Sequence, residues 1–330
     1  MALTGIIFGI FFGIVLQRGR ICFNSAFRDV MLFKDNYLMK FAALVIALQT
    51  LTFLLFAQFG WITLNPKPLN WVGNIIGGYI FGLGMVLAGG CASGVTYRSG
   101  EGMTTAWFAA MFYGLTAYAT KAGAFKPWLD WISKFNVKVE YSTPIYASNS
   151  GPTLPSVLHL NPWIVGILFS ALLLWYTFGT KTTERHSKMG MKTAAIILAI
   201  LAPIAWMSSA ASGRNYGFGI TGGWISLFKG FLAGASVNWE GWLIVGIIIG
   251  AMISAKISGE FKLRMPRNPF TYLQVMIGGI LMGLGAVTAG GCNIGHFFTG
   301  VPQMAIGSIL ASIFFILGNW SMAWLLYGRD

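Results

Sequence analysis

The sequence predicts an all-α, polytopic membrane protein with about nine transmembrane helices, short re-entrant helical loops, an inverted internal repeat and an N-terminus outside. Three observations predict this fold. Only 9% of the 330 residues are charged and 56% are hydrophobic, whereas soluble proteins carry about 25% charged residues. Apolar runs close to the ~20 residues needed to cross a bilayer recur along the chain. One glycine-rich element occurs twice.

The first apolar run, Leu3–Leu16, is followed by Arg18 and is preceded by no basic residue. A cleavable signal peptide carries its basic residues in front of the apolar core, so this run is predicted to be a transmembrane helix. The positions of Gly5, Gly9 and Gly13 place the three glycines on one helix face. This smooth face is predicted to pack against another helix.

The loop charges predict the orientation of the chain. The remaining expected spans are Lys40–Gly60, Asn70–Ala88, Thr104–Thr120, Asn161–Gly179, Thr193–Ala210, Gly241–Ser258, Thr271–Ala289 and Gln303–Tyr327. With the N-terminus outside, 15 of the 22 Lys and Arg residues fall on the inside and 7 on the outside. Lys and Arg collect in cytoplasmic loops, so this topology accounts for most of the +13 net charge. The scattered charges form no single basic face, which argues against nucleic-acid binding.

The long loop from Lys121 to Leu160 is rich in proline, serine, asparagine and aromatic residues. Its Trp128 and Trp131 predict a helix that lies flat at the membrane interface rather than a soluble domain. We therefore expect residues 1–330 to form a single integral membrane domain.

The repeated element is Gly89-Gly90-Cys91 and Gly290-Gly291-Cys292. The two cysteines are 201 residues apart (292 minus 91). At this offset, Gly77–Gly94 and Gly278–Gly295 agree at 11 of 18 positions. Chance does not account for a match of this density, so the chain is predicted to contain an internal repeat.

The offset divides the chain into a first repeat, 1–121, a second repeat, 202–322, and a connector, 122–201, with one extra span. The second and seventh spans are equivalent, and their odd separation along the chain gives the two repeats opposite orientations. Inverted repeats are typical of transporters that bind their substrate near the midplane of the membrane.

Two adjacent glycines at the end of an apolar run allow a helix to break inside the membrane. Broken backbone is tolerated there only where it is buried in protein or lines a cavity. A helix that restarts at Cys91 or Cys292 would direct its free N–H groups into that cavity and attract an anion. The alternative is that the glycines only allow close helix packing. The presence of two copies favours the break.

At the same offset Cys22 corresponds to Gly223, which also lies in a glycine-rich stretch. We therefore expect four breaks, three of which carry a thiol. Thiols are weak hydrogen-bond donors and favour a sulfur-bearing ligand. A disulfide between Cys91 and Cys292 stays open at this stage. The three cysteines and three histidines lack metal-site spacing, so no metal and no cofactor are expected.

Other polar residues near the breaks are candidates for supporting roles. Asn24 and Asn293 are candidate neutral donors. His296 follows Cys292 by four residues and is expected to share its helix face, where it would lie near an anion, shift protons or simply pack. Glu260 lies in a basic stretch and is expected to be a solvated loop charge.

These features together resemble one known family. The paired Gly-Gly-Cys-x-x-Gly elements, together with Arg-Gly-Arg-Ile-Cys22-Phe-Asn-Ser-Ala-Phe-Arg-Asp near the N-terminus, are similar to the YeeE/YedE family of sulfur-transport membrane proteins, and closely to its thiosulfate-uptake members. The resemblance covers both halves of the chain.

The resemblance implies a multi-pass protein of the bacterial inner membrane that imports thiosulfate for cysteine synthesis. It also implies an hourglass-like fold with helical loops that enter from both faces. Cys22, Cys91 and Cys292 would form the substrate path and pass the terminal sulfur along by S–H···S hydrogen bonds. A small TusA-like sulfur-carrier protein on the cytoplasmic side is an implied partner.

Three alternatives remain open from the sequence. The first is a permease for another small anion or sulfur species, such as sulfide. The second is a membrane thiol–disulfide oxidoreductase, which needs a proximal cysteine pair, and the absence of C-x-x-C counts against it. The third is a structural subunit, which would tolerate Cys→Ala changes at all three cysteines. No Walker motif is present, and we expect a transporter rather than an enzyme.

Overall fold

A computed structural model describes residues 1–141, 143–183 and 188–328 and confirms the all-α membrane fold. Its elements are α1 Thr4–Gly19, α2 Phe23–Phe33, α3 Tyr37–Gln58, β1 Leu69–Asn70, α4 Trp71–Leu87, α5 Ala92–Gly100, α6 Thr104–Ala122, α7 Lys126–Ser133, β2 Asn136–Val137, α8 Leu154–Leu158, α9 Pro162–Gly179, α10 Met191–Ala211, α11 Thr221–Ala233, α12 Trp239–Ile257, α13 Phe270–Thr288, α14 Asn293–Gly295, a π-helical turn His296–Gly300, and α15 Ile306–Tyr327. Two of the basic residues used for the orientation, Arg185 and Arg329, lie outside the described residues.

Each of the nine expected spans coincides with a long helix. Within the described ranges, eight segments are long and apolar enough to cross a membrane. The expected span 104–120 forms α6, a helix of 19 residues, but is not among these eight. Three of the eight, Thr4–Phe33, Trp71–Gly100 and Phe270–Gly300, consist of a long helix and the short helix that follows it. The chain therefore breaks inside three of its apolar segments.

The glycine face of α1 packs directly on α12, as the sequence predicts. A Cβ atom on Gly5, Gly9 or Gly13 would overlap the backbone carbonyl oxygen of Trp239, Leu243 or Ile247, respectively. Gly246 and Gly250 of α12 face the backbone of α1 in the same way. Glycine is required on both helices because their backbones touch.

The helices α4, α6, α13 and α15 form the second tightly packed group. In this group α13 lies between α4 and α6, and α15 packs on the other side of α4. Glycines again bring backbones together, since a Cβ atom on Gly82 would lie 2.5 Å from the carbonyl oxygen of Phe315. The two Gly-Gly-Cys elements follow α4 and α13, so the packing of these helices positions both breaks.

The elements of the two predicted repeats correspond in part. The series from α2 to α6 recurs as α11 to α15, and the equivalent helices begin within three residues of the 201-residue offset. The correspondence does not extend to α1, because the predicted boundary between 201 and 202 falls inside α10. A nine-residue linker, 212–220, then separates α10 from α11, whereas only three residues separate α1 from α2. The inverted repeat and the orientation stay predictions.

The long loop carries the short helix α7 at the place predicted for an interfacial helix. Trp128 of α7 donates from Nε1 to the hydroxyl of Thr288 (3.1 Å), and β1 pairs antiparallel with β2. The ring of Trp131 is half exposed. The loop therefore folds over the ends of α4 and α13 near the second break.

Lys40, the first residue of the expected span Lys40–Gly60, is fully buried. It lies in the first turn of α3, and its Nζ donates to the carbonyl oxygens of Thr180 (2.6 Å) and Lys181 (2.9 Å) and to the hydroxyl of Thr182 (2.9 Å). These acceptors follow the C-terminus of α9, where the helix dipole favours a cation.

Lys40→Met is expected to destabilise the protein by about 2–4 kcal/mol, because three acceptors lose a charged donor. Thermal unfolding in detergent measures the effect as a lower midpoint. Lys181→Met is the matched control, since the side chain of Lys181 is exposed, and it should leave the midpoint unchanged. Equal unfolding midpoints for wild type and Lys40→Met would show that the contacts of Lys40 with the residues after α9 do not stabilise the protein.

Candidate functional site

All three cysteines stand immediately before short helices. Cys22 precedes α2, Cys91 precedes α5 and Cys292 precedes α14, each with an extended backbone. All three are free thiols and fully buried. Every cysteine that was predicted to line the substrate path thus lies at the start of a helix inside the protein.

The first glycine of each Gly-Gly-Cys element ends the preceding long helix. Gly89 and Gly290 have φ angles of +68° and +86°, which L-residues with a side chain rarely adopt. The second glycines, Gly90 and Gly291, leave space for approaching cations. A Cβ atom on Gly90 would lie 3.5 Å from the guanidinium of Arg98, and one on Gly291 would lie 3.4 Å from Nζ of Lys67.

The structure brings Cys22 and Cys91 together. Their sulfur atoms are 3.8 Å apart, within range of an S–H···S hydrogen bond. The sulfur of Cys91 also contacts the hydroxyl of Ser93 and accepts from the amide of Gly94, both at 3.4 Å. The pairing of Cys91 with Cys292 that the sequence left open is not found, since both are free.

Cys292 lines a cavity of about 440 Å³, which we call the Cys292 cavity. Three cationic residues line it, namely Lys67, Lys121 and Arg214. Nζ of Lys67 donates to the carbonyl oxygen of Gly290 (2.5 Å) and lies 4.7 Å from the centre of the Tyr216 ring. Burial lowers the pKa of Lys67 to about 8. The cavity is therefore lined by three cationic side chains and by one thiol.

A second cavity, of about 260 Å³, lies beside the other Gly-Gly-Cys element. This Arg98 cavity is lined by Gly89, Val95 and Arg98, with Tyr327 at its edge. A guanidinium nitrogen of Arg98 donates to the carbonyl oxygen of Gly89 (2.7 Å). Each first glycine of the repeated element thus accepts a hydrogen bond from a cationic side chain.

The sequence analysis did not assign Lys67 and Arg98 to the site and counted them only as topology charges. The offset of 201 residues could not reveal them, because it aligns Arg98 with Thr299 and Lys67 with Asn268. Similar contacts are thus made by residues at unrelated positions of the two halves. The weak signal in the sequence is that Arg98 follows Cys91 by seven residues, about two helical turns.

The predicted supporting residues take different roles. Oδ1 of Asn24 accepts from the amide of Asn319 (2.7 Å), so Asn24 joins α2 to α15. Asn293 is buried, and neither polar atom of its amide has a partner among the described residues. Nδ1 of His296 lies 3.0 Å from the hydroxyl of Ser308, while its Nε2 is buried without a partner in that part of the chain. Asn293 and His296 therefore keep unused polar atoms beside Cys292.

Gly223 lacks space for the thiol that its equivalent, Cys22, carries. A Cβ atom there would overlap the backbone carbonyl oxygen of Glu240 and would lie 2.5 Å from Ile244. At Gly223 the backbone of α11 approaches α12 too closely for a side chain. Gly223 lies inside the first turn of α11, whereas Cys22 precedes α2, so the fourth expected break does not fall at Gly223 and the packing of α11 on α12 excludes a thiol there.

Glu260 is not the solvated loop charge that the sequence suggested. Its carboxylate pairs with Arg20 (3.0 Å) and Lys188 (3.1 Å) and accepts from the amide of Gln17 (2.7 Å). Gln17 also donates to the buried carboxylate of Glu101 (3.2 Å). Glu260 therefore connects the end of α1 to the residues that follow α12.

A multi-pass helical protein that has buried thiols at helix breaks and two cation-lined cavities has the architecture of a membrane transporter. The sulphur transport family matches residues 18–321, and the chain belongs to this family. It is 64% identical to the thiosulfate transporter TsuA of Spirochaeta thermophila over the full length of both chains. It is 33% identical to the thiosulfate transporter TsuA of Escherichia coli, over 100% of this chain and 96% of that one. The probable transporter YedE of Escherichia coli is 38% identical over 104 residues, 31% of this chain and 25% of that one.

These relatives confirm the family expected from the sequence and a transport role rather than an enzymatic one.

Proposed function

We propose that the protein imports thiosulfate through a path that runs from the Cys292 cavity past Cys292, Cys91 and Cys22 to the Arg98 cavity. The observation that carries the proposal is the contact between the buried thiols of Cys22 and Cys91 at the starts of two helices. Two cavities with cationic residues, one lined by Cys292 and the other by Gly89, would supply the ends of the path. The names of the full-length relatives support thiosulfate as the substrate.

The chemistry of the path suits an anion with a terminal sulfur. Thiosulfate is a dianion with three oxygen atoms and one soft sulfur atom. Cationic residues at the cavities raise the local concentration of the dianion. Thiols inside are weak donors, so they bind the anion without trapping it, and conduction requires sites that release as well as bind.

The proposed inward direction of transport and the proposed location in the inner membrane rest on the predicted topology. The charge bias places Arg98 on the cytoplasmic side and Lys67 on the outside of a bacterial inner membrane. Lipid would surround the exposed apolar faces of the long helices. A TusA-like sulfur-carrier protein would receive the sulfur compound at the Arg98 cavity, and this partner stays a prediction.

Uptake into proteoliposomes tests the proposal. Vesicles with the purified protein should take up radiolabelled thiosulfate much faster than empty vesicles. Sulfate, in which an oxygen replaces the terminal sulfur, should be taken up far more slowly because it cannot form S–H···S contacts. Equal uptake of both anions would contradict the role of the thiols, and no uptake of thiosulfate would contradict the transport proposal.

Thiol–disulfide exchange is the competing function, because Cys22 and Cys91 are close enough to react with each other. Both are fully buried, however, and exchange requires that an external thiolate can reach a sulfur atom. A maleimide reagent should therefore modify neither residue in the folded protein. Rapid modification would favour the exchange reaction.

Uptake is expected to fall as the pH on the side of the Cys292 cavity rises through about 8, the pKa of Lys67. Only the protonated amine attracts an anion, so the attraction is complete well below this pH and is lost above it. Lys67→Gln should reduce uptake about tenfold at low pH, since clefts of one charge sign raise association rates by 10-fold or more. Lys67→Arg should remove the fall near pH 8, because a guanidinium stays charged.

The measurement is the initial rate of uptake into proteoliposomes as a function of external pH. Lys138→Gln is the matched control, since Lys138 is exposed in the long loop and does not line the cavity. It should retain the wild-type profile. A Lys67→Gln profile that equals the wild-type profile would exclude Lys67 from anion attraction.

A further inference from the structure

The cationic Cys292 cavity also contains a carboxylate. Among the described residues that line this cavity, Glu240 is the only acidic one. It lies in the first turn of α12 and is 7% exposed. A buried carboxylate on the wall of an anion-binding cavity repels the ligand, so its presence calls for a physical explanation.

One oxygen of the carboxylate is paired. Oε1 of Glu240 accepts from a guanidinium nitrogen of Arg214 (2.5 Å). The second terminal nitrogen of the guanidinium, Nη1 of Arg214, donates to the hydroxyl of Ser209 (3.0 Å) and to the carbonyl oxygens of Tyr216 (2.6 Å) and Gly217 (2.8 Å). Arg214 is thus held in place by the linker between α10 and α11, and it fixes the carboxylate.

Two glycines leave space for the carboxylate. A Cβ atom on Gly219 would lie 2.6 Å from Oε1 of Glu240, and one on Gly222 would overlap Oε2. No hydrogen bond to Oε2 is found among the described residues, yet this oxygen is not among their fully enclosed unpartnered atoms. Oε2 therefore faces the cavity, where it is accessible to water and to a ligand.

The other charged groups that line the cavity with Glu240 are all cationic. They are Arg214 of the linker, Lys67 before α4 and Lys121 of α6, and the titratable Tyr216 and Cys292 line the same cavity. A dianion that enters this cavity pairs with the same cations and places negative charge beside Oε2. A nearby like charge disfavours an ionised carboxylate. Protonation removes the repulsion and converts Oε2 into a donor for an oxygen of the anion.

We propose that Glu240 is a proton-binding site, and that its carboxylate takes up one proton from solution when thiosulfate enters the Cys292 cavity. The proton comes from water and binds to Oε2, while Oε1 keeps its contact with Arg214. The proton leaves again when the anion moves on. This inference rests on the proposed function and adds a second ligand, the proton, to it. Thiosulfate binding is accordingly linked to proton binding at Glu240 as well as to the protonation of Lys67.

Calorimetric titration with thiosulfate in two buffers of different ionisation enthalpy counts the protons taken up per anion bound. At about pH 6.5 Lys67, with a pKa of about 8, is already protonated, so proton uptake reports on the carboxylate. Wild type should take up close to one proton per thiosulfate bound. Glu240→Gln should bind thiosulfate with proton uptake near zero. Glu240→Asp retains a carboxyl group and should restore most of the proton uptake.

Glu140→Gln is the matched control, because Glu140 is exposed in the long loop, and it should behave as wild type. Binding of thiosulfate to wild type without proton uptake would overturn this inference and leave the proposed function intact. Equal proton uptake by wild type and Glu240→Gln would also overturn it. Absence of any thiosulfate binding to wild type would overturn both. If Glu240→Gln does not fold, the titration of wild type in the two buffers still shows whether a proton is taken up with thiosulfate.

Discussion

Cys91→Ala is expected to reduce thiosulfate uptake about 10- to 100-fold. Cys91 lies at the centre of the proposed path, where its sulfur contacts Cys22, Ser93 and Gly94. A hydrogen bond to a charged group contributes about 1.5–3 kcal/mol, and each 1.4 kcal/mol corresponds to a factor of about ten. Alanine removes this contact from a buried region where water cannot replace it. The measurement is the initial rate of uptake into proteoliposomes.

Two further variants separate the thiol from its position. Cys91→Ser keeps a hydrogen-bond donor but loses the soft sulfur, so we expect uptake between those of wild type and Cys91→Ala. Ser99→Ala removes a hydroxyl from the last turn of the same helix, where it donates to the carbonyl oxygen of Val95 within α5, and uptake should be unchanged. If Cys91→Ala takes up thiosulfate at the wild-type rate, a thiol relay is excluded and the role of Cys91 is only structural.

The sequence could predict the breaks because their physical cause is local. Two glycines that end an apolar run permit a positive φ angle, and Gly89 and Gly290 both have one. Cysteine directly after the glycines then stands at the start of the next helix. The face formed by Gly5, Gly9 and Gly13 is predictable for a similar reason, since its spacing follows from the helical repeat.

The remaining parts of the site depend on contacts between distant segments. The contact between Cys22 and Cys91 joins residues 69 positions apart. Lys67 reaches Gly290 across 223 positions, and the similar contact to Gly89 comes from Arg98, which the 201-residue offset does not align with Lys67. In the sequence, Glu240 looks like an ordinary acidic residue in the first turn of a helix, where the helix dipole favours a negative charge. Only the fold shows that its carboxylate faces a cationic cavity.

Gly94→Ala is expected to reduce uptake at least about tenfold, because overpacking a buried site costs about 1–3 kcal/mol. A Cβ atom on Gly94 would lie 2.7 Å from the sulfur of Cys22 and 3.4 Å from that of Cys91. The Cys22 side chain would have to turn away, which separates the two thiols. The backbone of Gly94 is helical, so alanine strains no dihedral angle and acts only through these contacts.

The repeat supplies the matched control for this variant. Gly295 is the equivalent of Gly94 at the 201-residue offset (295 minus 94), and nothing lies within 4 Å of a Cβ atom placed on it. Gly295→Ala adds a methyl group to the open space of the Cys292 cavity, which Gly295 lines, so it should reduce uptake far less than Gly94→Ala. Both variants should unfold at similar temperatures in detergent. Equal uptake by Gly94→Ala and wild type would show that the anion does not need the close approach of Cys22 and Cys91. A loss of uptake in Gly295→Ala as large as in Gly94→Ala would show instead that any side chain after the breaks disturbs the path.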